Sequence, residues 1–253
     1  MRKIILTAVL CLSFAFAAPA LADGDPPFGP GEKIFYEIYW TLVHAGRAEL
    51  RCLKDTEVDG EPARYFWAKA RTLGWVDNFY KVRDTMEAWT DHDVTHSLRY
   101  KKDQNEGSFH KKVNLIFDKK AGKSYRYARG KLQHIIDQPE DVFDPMSILF
   151  AFRKHELYEG MEFDANVSDG KISVVGKAFV EGREVVETGI GDIDAFRVRL
   201  DIQHLSGVFK KSDDAELYVW FSADERRIPV KVRSKVVVGS FTMTLSEYHP
   251  PVR

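Results

Sequence analysis

The feature that most constrains this chain is a two-residue alternation of apolar and polar side chains, repeated along its length. From Ile34 to Leu42, one face carries Ile34, Tyr36, Ile38, Trp40 and Leu42, and the other carries Glu37 and Thr41 among aromatics. Phe196, Val198, Leu200 and Ile202 alternate with Arg197, Arg199 and Asp201. Ile228, Val230, Val232, Val236 and Val238 stand against Lys231, Arg233 and Lys235. Successive side chains of a strand point to opposite faces, so this period predicts a sheet with one dry and one wet face. Turn dipeptides punctuate the runs: Asp59-Gly60, Glu106-Gly107, Ala121-Gly122, Arg129-Gly130, Asp169-Gly170 and Glu181-Gly182. Neighbouring runs joined by such turns predict antiparallel order, with roughly a dozen strands. Val174–Val180 and Glu184–Glu187, separated by Glu181-Gly182-Arg183, are expected to form one of the hairpins.

One segment has a different period. Asp144-Pro145-Met146-Ser147-Ile148-Leu149-Phe150-Ala151-Phe152-Arg153 reads as a helix, expected over about 145–155. Asp144 is a good N-cap, and Pro145 suits the first helical position. Met146, Leu149, Phe150 and Phe152 form a wide apolar stripe. A lone amphipathic helix in a β chain packs on an open sheet or barrel mouth. The expected fold is therefore mostly β: long antiparallel strands in a rolled or partly open barrel-like sheet, with this helix packed on it. Two stacked half-sheets are the alternative.

Residues 1–22 read as a cleaved secretory signal peptide. Arg2 and Lys3 precede an apolar run from Ile4 to Ala18, and Ala20-Leu21-Ala22 suits signal peptidase. Cys11 lies inside that run, not at the cleavage point, which speaks against lipidation. Removing 22 of the 253 residues leaves 231, read as a single β domain over 23–253 in the periplasm. The net charge moves from −1 to −3 with the loss of Arg2 and Lys3. One of the two cysteines, Cys52, remains, so no internal disulfide braces the domain. No later run is long and apolar enough for a transmembrane helix.

The charge balance gives no support for a nucleic-acid partner, which usually leaves a basic surplus. Tyr125-Arg126-Tyr127-Ala128-Arg129 interleaves rings and cations but fits a half-exposed strand better. There is no Gly-x-Ser-x-Gly, phosphate-binding glycine loop or His-Glu-x-x-His. Asp91-His92-Asp93 with His96 has the ligand types zinc prefers, but four ligands in one short loop would be strained, so a solvated turn is preferred. Cys52 shares a face with Ala48 and Leu50 and reads as a buried thiol. No cofactor and no metal is expected.

The order of features resembles the DUF3108 family of exported bacterial proteins, a domain of unknown function. The resemblance rests on Gly31-Glu32-Lys33-Ile34-Phe35-Tyr36 with Trp40, His44-Ala45-Gly46-Arg47-Ala48, and Asn78-Phe79-Tyr80-Lys81-Val82-Arg83-Asp84. It continues through Asp144, Ser147 and Arg153 and closes with Leu217–Asp224, Ile228-Pro229-Val230, Gly239 and Leu245-Ser246-Glu247-Tyr248. It implies an exported, rolled sheet loosely similar to the open barrels of periplasmic lipoprotein carriers, with no established reaction.

The expected activity is a non-enzymatic binding or carrier module for a lipid or other hydrophobic ligand. Tyr36, Trp40, Tyr80, Leu149 and Phe150 are expected to line its cavity, with ordinary core packing as the alternative for each. Trp75, Val76 and Phe79, in a turn-rich stretch, are candidates to gate a cavity or touch a partner. Asp84 falls on a dry face and needs a partner, which Arg71 or Arg153 could supply; the reading pairs it with Arg153, tying helix to sheet, and the alternative is an Asp near a strand end that reaches water. The alternatives are an envelope assembly or scaffold protein without a small ligand, or an uncharacterised hydrolase. Expected partners are a hydrophobic small molecule, a lipid or an envelope protein; the sequence fixes no oligomeric state.

Overall fold

A computed structural model describes residues 26–201, 216–235 and 240–252. The signal at 1–22, and the expected strand positions Ile202, Val236 and Val238, lie outside the described residues. The strands are β1 (Lys33–Trp40), β2 (Val43–Cys52), β3 (Thr56–Val58), β4 (Glu61–Thr72), β5 (Arg83–Asp91), β6 (Ser97–Glu106), β7 (Phe109–Asp118), β8 (Lys123–Ala128) and β9 (Lys131–Asp137). After helix α1 (Ser147–Arg153) come β10 (Glu162–Ser168), β11 (Ser173–Thr188), β12 (Gly191–Leu200), β13 (Glu216–Ser222), β14 (Pro229–Lys235) and β15 (Ser240–His249). They form one 15-stranded sheet in the order β10-β11-β12-β13-β14-β15-β1-β2-β4-β5-β6-β7-β8-β9, with β3 on β4. The ladders are antiparallel, and the last strand pairs with the first. This is the rolled, single-sheet form of the expected fold.

The alternation works as physics demands. Tyr100, Val113, Leu115, Phe117, Val198, Val230 and Leu245 point inward and are buried. Outward neighbours such as Lys101, Lys112 and Arg129 are exposed. One turn signal misled. Val174–Val180 and Glu184–Glu187 are not a hairpin but parts of the 16-residue β11. The extra residue at Glu181-Gly182 is absorbed as a bulge, where the register against β12 shifts between Val180 and Gly182. The hairpin comes eight residues later, at the Gly189-Ile190 turn before β12.

Helix α1 is shorter than the expected 145–155 and is not amphipathic in use. Ser147, Phe150, Ala151, Phe152 and Arg153 are all buried, so the helix packs on the inner face of the rolled sheet, as expected. Phe150 stacks on Phe66 with ring centres 3.7 Å apart, and Phe28 meets both rings edge-on. Phe152 packs into the second cluster with Leu157, Met161, Val180, Val198 and Phe221.

Asp144 holds the start of the helix. Its carboxylate accepts from the Met146 and Ser147 amides at 2.8 and 3.0 Å and from the Ser147 and Ser97 hydroxyls at 2.5 and 2.6 Å. The Ser97 hydroxyl in turn accepts from the Asp144 amide at 2.8 Å. Burial pushes the Asp144 carboxyl up, and these bonds oppose that. The preceding residues stitch the roll together. Ser97 donates to Val142, Phe143 donates to Asn166, and Ser168 donates back to Phe143, each between 2.8 and 2.9 Å. The free edge of β10 is thus covered by the chain entering α1.

Candidate functional site

The two ends of the roll differ in chemistry. At one end, where β1 starts and β15 finishes, Arg153 is wholly buried against Glu32, itself 1% exposed. The fork is bidentate: two guanidinium nitrogens donate to the two Glu32 oxygens at 2.9 and 2.8 Å. A further donation reaches the Arg226 carbonyl at 3.1 Å. The guanidinium also lies 5.2 Å from the Phe28 ring centre and 5.7 Å from that of Phe150. Burial alone would weaken Arg153's hold on its proton; the Glu32 carboxylate outweighs this and raises it. Tyr248 donates to Glu32 at 3.2 Å, and burial, then the Glu32 charge, push its hydroxyl up to about 12. Tyr36 is buried beside this group and donates to the Pro229 carbonyl at 2.7 Å. The Glu32 and Arg153 charges satisfy each other through this fork, so the cluster works as a structural staple.

The other end is a rim built from the β1–β2 turn, the β4–β5 connection and the β6–β7 turn. Trp40 pairs with Val43 across the first turn and stacks on Phe241 of β15 at 6.5 Å. Leu42, at the tip, is 91% exposed. The β4–β5 connection holds a 3₁₀ turn at Val76–Asn78, anchored by Asp77. That carboxylate accepts from Thr72 and Arg83, each at 2.5 Å, and the two bonds hold it below the usual range. The turn presents Trp75, Phe79 and Tyr80 outward, with Phe79 83% exposed. Leu73 donates to Ala45 at 2.9 Å, and Gly107 donates to Lys81 at 2.7 Å. These bonds fix the connection between the two hairpin turns. Gly107 has φ +58, and a Cβ there would meet the Tyr80 ring at 3.1 Å, so the ring lies close against the turn backbone. Phe109 continues the apolar surface on β7.

The seven expected site residues do not converge. Tyr36, Phe150 and Arg153 are buried at the staple, with Leu149 half-buried next to Phe150. Trp40, Tyr80 and Asp84 belong to the rim end. The expected Asp84–Arg153 pair is therefore wrong. Asp84 starts β5 at the rim and accepts from the Asn105 amide at 2.8 Å. Arg153 pairs instead with Glu32, whose row runs through Cys52, Phe66 and Ala88, four residues along β5 from Asp84 and so ~13 Å along the strand at ~3.3 Å per residue. The Asp84 carboxyl is pushed up to about 6 by burial, assisted by neighbouring Glu106 and opposed by the Asn105 amide.

Cys52 is buried, and its thiol is pushed up to about 12, again by burial first. In the 91–96 loop, Asp91 accepts from the Thr95 and His96 amides at 2.7 and 3.0 Å, a turn-closing role. No group of potential metal ligands occurs among the described residues.

Two open clefts adjoin the rim on its outer side. One, of about 460 Å³, lies over β5–β8 between Lys101, Lys112, Tyr127 and Arg129. The other, of about 290 Å³, shares Arg129 and adds Phe109, His110 and Lys111.

The family model described as "Protein of unknown function (DUF3108)" matches residues 36–246. The chain belongs to the DUF3108 family. Its match takes in both hairpin turns of the rim and the Asp144–Arg153 segment, while Glu32 precedes it. A search of curated proteins found no match. Among solved structures, a β-barrel-like protein of domain of unknown function DUF1849 from Brucella abortus is similar at TM-score 0.52 and 10% identity. The likeness covers 88% of this chain and 98% of that one, and it supports the barrel-like fold of this DUF3108 member. Weaker likenesses, both at 10% identity and 88% of this chain, are to two further proteins. One is described as exported with a YmcC-like fold, from Bacteroides fragilis (TM-score 0.39, 97% of that chain). The other is a candidate lipoprotein from Parabacteroides distasonis (TM-score 0.37, 98% of that chain).

Sequence reasoning missed Glu32 as Arg153's partner. A glutamate just before a strand ordinarily faces solvent, and only its place within Gly31-Glu32-Lys33 marked it. It also missed the rim as a unit, because Leu42, Phe79, Phe109 and Phe241 are scattered in sequence and join only through strand pairing.

Proposed function

We propose that this protein is an exported, non-enzymatic binding module of the bacterial envelope. On this reading it works in the periplasm as the 23–253 domain, released from its 1–22 signal, and takes a lipid or other hydrophobic ligand at its rim. The observation that carries this is the rim itself. Eight of the sixteen large hydrophobic side chains exposed among the described residues gather on neighbouring strand ends there. Apolar patches of this kind on a folded domain mark interaction sites, because leaving them in water costs about 25 cal/mol per Å². The interior is a poor alternative: α1 and the Phe28–Phe66–Phe150 stack occupy it. Trp75 and Phe79 therefore act as contact residues, not as gates to a cavity.

The test is binding of an apolar fluorescent probe, 1-anilinonaphthalene-8-sulfonate, alongside native mass spectrometry of protein purified from its producing cell. Leu42→Ser/Phe79→Ser should lose at least ~tenfold in probe affinity, while Tyr36→Phe in the core leaves it unchanged. Equal probe binding by wild type and the rim variant would sink the reading.

A second reading, an assembly factor without a small ligand, draws on β9. That strand ends the sheet with only β8 beside it and exposes Leu132 and Ile135. Strand addition at that edge would need only an extended partner segment. Substituting Ile135→Pro and probing for lost partner capture tests it.

A further inference from the structure

We infer that the rim meets its lipid in place, by docking on an anionic bilayer surface with Leu42, Trp75 and Phe79 inserted and a collar of cations on the headgroup phosphates. The inference rests on the rim reading above and names its partner.

Charge complementarity carries it. Around the apolar tips stand Arg71, Lys81, Arg129 and Lys131, all exposed. Three carboxylates at this end are held by neighbouring donors. Asp77 is held by Arg83 and Thr72, Asp84 by the Asn105 amide, and Asp103 by Lys112 at 3.0 Å. What faces outward is thus apolar at the tips and positive behind them, although the chain as a whole carries a net charge of −1. The two features are continuous: Phe109 and Arg129 line the same 290 Å³ cleft, and Arg129 also lines the 460 Å³ cleft, where Lys101, Lys102 and Lys112 outnumber Glu87 and Asp103. Aromatic side chains favour the membrane–water interface, and nearby Lys and Arg each add attraction to anionic lipid. A soluble apolar ligand would need the tips alone; it gives no use for the collar.

The experiment is co-flotation of the full mature domain with vesicles of phosphatidylcholine, with and without 30% phosphatidylglycerol. Wild type should float with the anionic vesicles and at least ~tenfold less with the zwitterionic ones. Arg71→Gln/Lys81→Gln/Arg129→Gln should weaken anionic binding by about a hundredfold, at ~fivefold per charge. Leu42→Ser/Phe79→Ser should weaken it by at least ~tenfold. Both variants change exposed residues, and unchanged unfolding curves confirm that they fold. Equal flotation with both vesicle types overturns the inference, as does flotation with neither. If flotation fails while the rim still binds the apolar probe, the bilayer is refuted and the rim reading stands. If sedimentation shows a dimer that Leu42→Ser/Phe79→Ser dissolves, a second copy covers the rim and the inference is likewise overturned.

Discussion

Separating Glu32 from Arg153 should cost more than any other single polar change in the protein, and the two halves of the pair should fail differently. Arg153 is fully enclosed, donates twice to Glu32 and once to the Arg226 carbonyl, and rests between two phenyl rings. In Glu32→Gln the guanidinium stays charged, because arginine does not give up its proton in a protein. It then has no counter-charge, and an unpaired buried ion of this kind costs about 3–5 kcal/mol. In Arg153→Met the orphan is a carboxylate, which has an escape: it takes up a proton. Protonating a carboxylate of ordinary glutamate acidity at pH 7 costs about 3.7 kcal/mol, falling by about 1.4 kcal/mol per pH unit. The methionine keeps apolar contact with the Phe28 and Phe150 rings, so little packing is lost. The orphaned carboxyl binds its proton more tightly folded than unfolded, so the variant's deficit shrinks as pH falls from 7 to 5. The Glu32→Gln deficit stays flat over the same range. Urea unfolding at pH 7 and pH 5, read by circular dichroism, measures both. The double variant should recover at least ~2 kcal/mol relative to the sum of the singles. A Glu32→Gln cost below about 1 kcal/mol, or additive singles, would refute the reasoning.

Other expectations follow from the same geometry. Asp84→Asn should stabilise the protein by about 1–2 kcal/mol at pH 8, after discounting for the nearby solvent. The sign follows from a folded carboxyl pushed up to about 6: its contribution is present below about pH 4 and lost as pH rises through 6. Urea midpoints across pH 4–8 check this; a variant with the wild-type pH profile counts against it. Cys52 should ignore a thiol reagent in the native protein at pH 8 and react only in denaturant, since its thiol is buried and pushed up to about 12; fast native labelling contradicts the burial. Gly46→Ala should destabilise by about 1–3 kcal/mol in thermal melts, because a Cβ would stand 2.5 Å from the Arg71 carbonyl oxygen across the β2–β4 ladder. A Tm within 1 °C of wild type would argue against so close an approach.

How much was legible in the sequence depended on how local each cause was. The alternation of Ile34 and Tyr36 in β1 and of Phe196 and Val198 in β12 has period two because these side chains share the buried face of their strand, so strands could be read directly. The Gly60, Gly107, Gly122, Gly130 and Gly170 turns were legible for the same reason: each has φ > 0, a conformation glycine adopts at little cost. Glu181-Gly182 looked identical in sequence, but only the partner strand decides whether an extra residue makes a turn or a bulge. Asp144 was recognisable as a cap because its partners, Met146 and Ser147, lie two and three residues on. Asp84 was recognisable as a carboxylate needing a partner and Arg153 as a candidate for it, yet the carboxylate that Arg153 meets lies 121 residues away. Choosing Glu32 over Asp84 required knowing which end of the sheet each strand presents. The Trp40–Phe241 stack likewise needs the register of β1 against β15, which no local pattern sets.

The contrast between the two ends favours the rim as the place for the proposed binding surface. A rolled sheet with uncovered ends can place affinity inside or at a mouth. Here α1 enters the roll carrying Phe150 on one side and Phe152 on another, and Arg153 closes on Glu32, Tyr248 and the Arg226 carbonyl. Emptying the interior for a ligand would mean withdrawing the helix, and so breaking the Glu32–Arg153 fork together with the Asp144–Ser97–Ser147 bonds. Breaking the fork alone costs about 3–5 kcal/mol, comparable to much of a domain's net stability of about 5–15 kcal/mol. A ligand would have to supply that difference before showing any affinity. At the rim nothing needs to open: Leu42 and Phe79 already stand in water, and covering them is favourable from the first contact. The staple thus makes interior carriage expensive and leaves the exposed rim as the surface where association needs no unfolding.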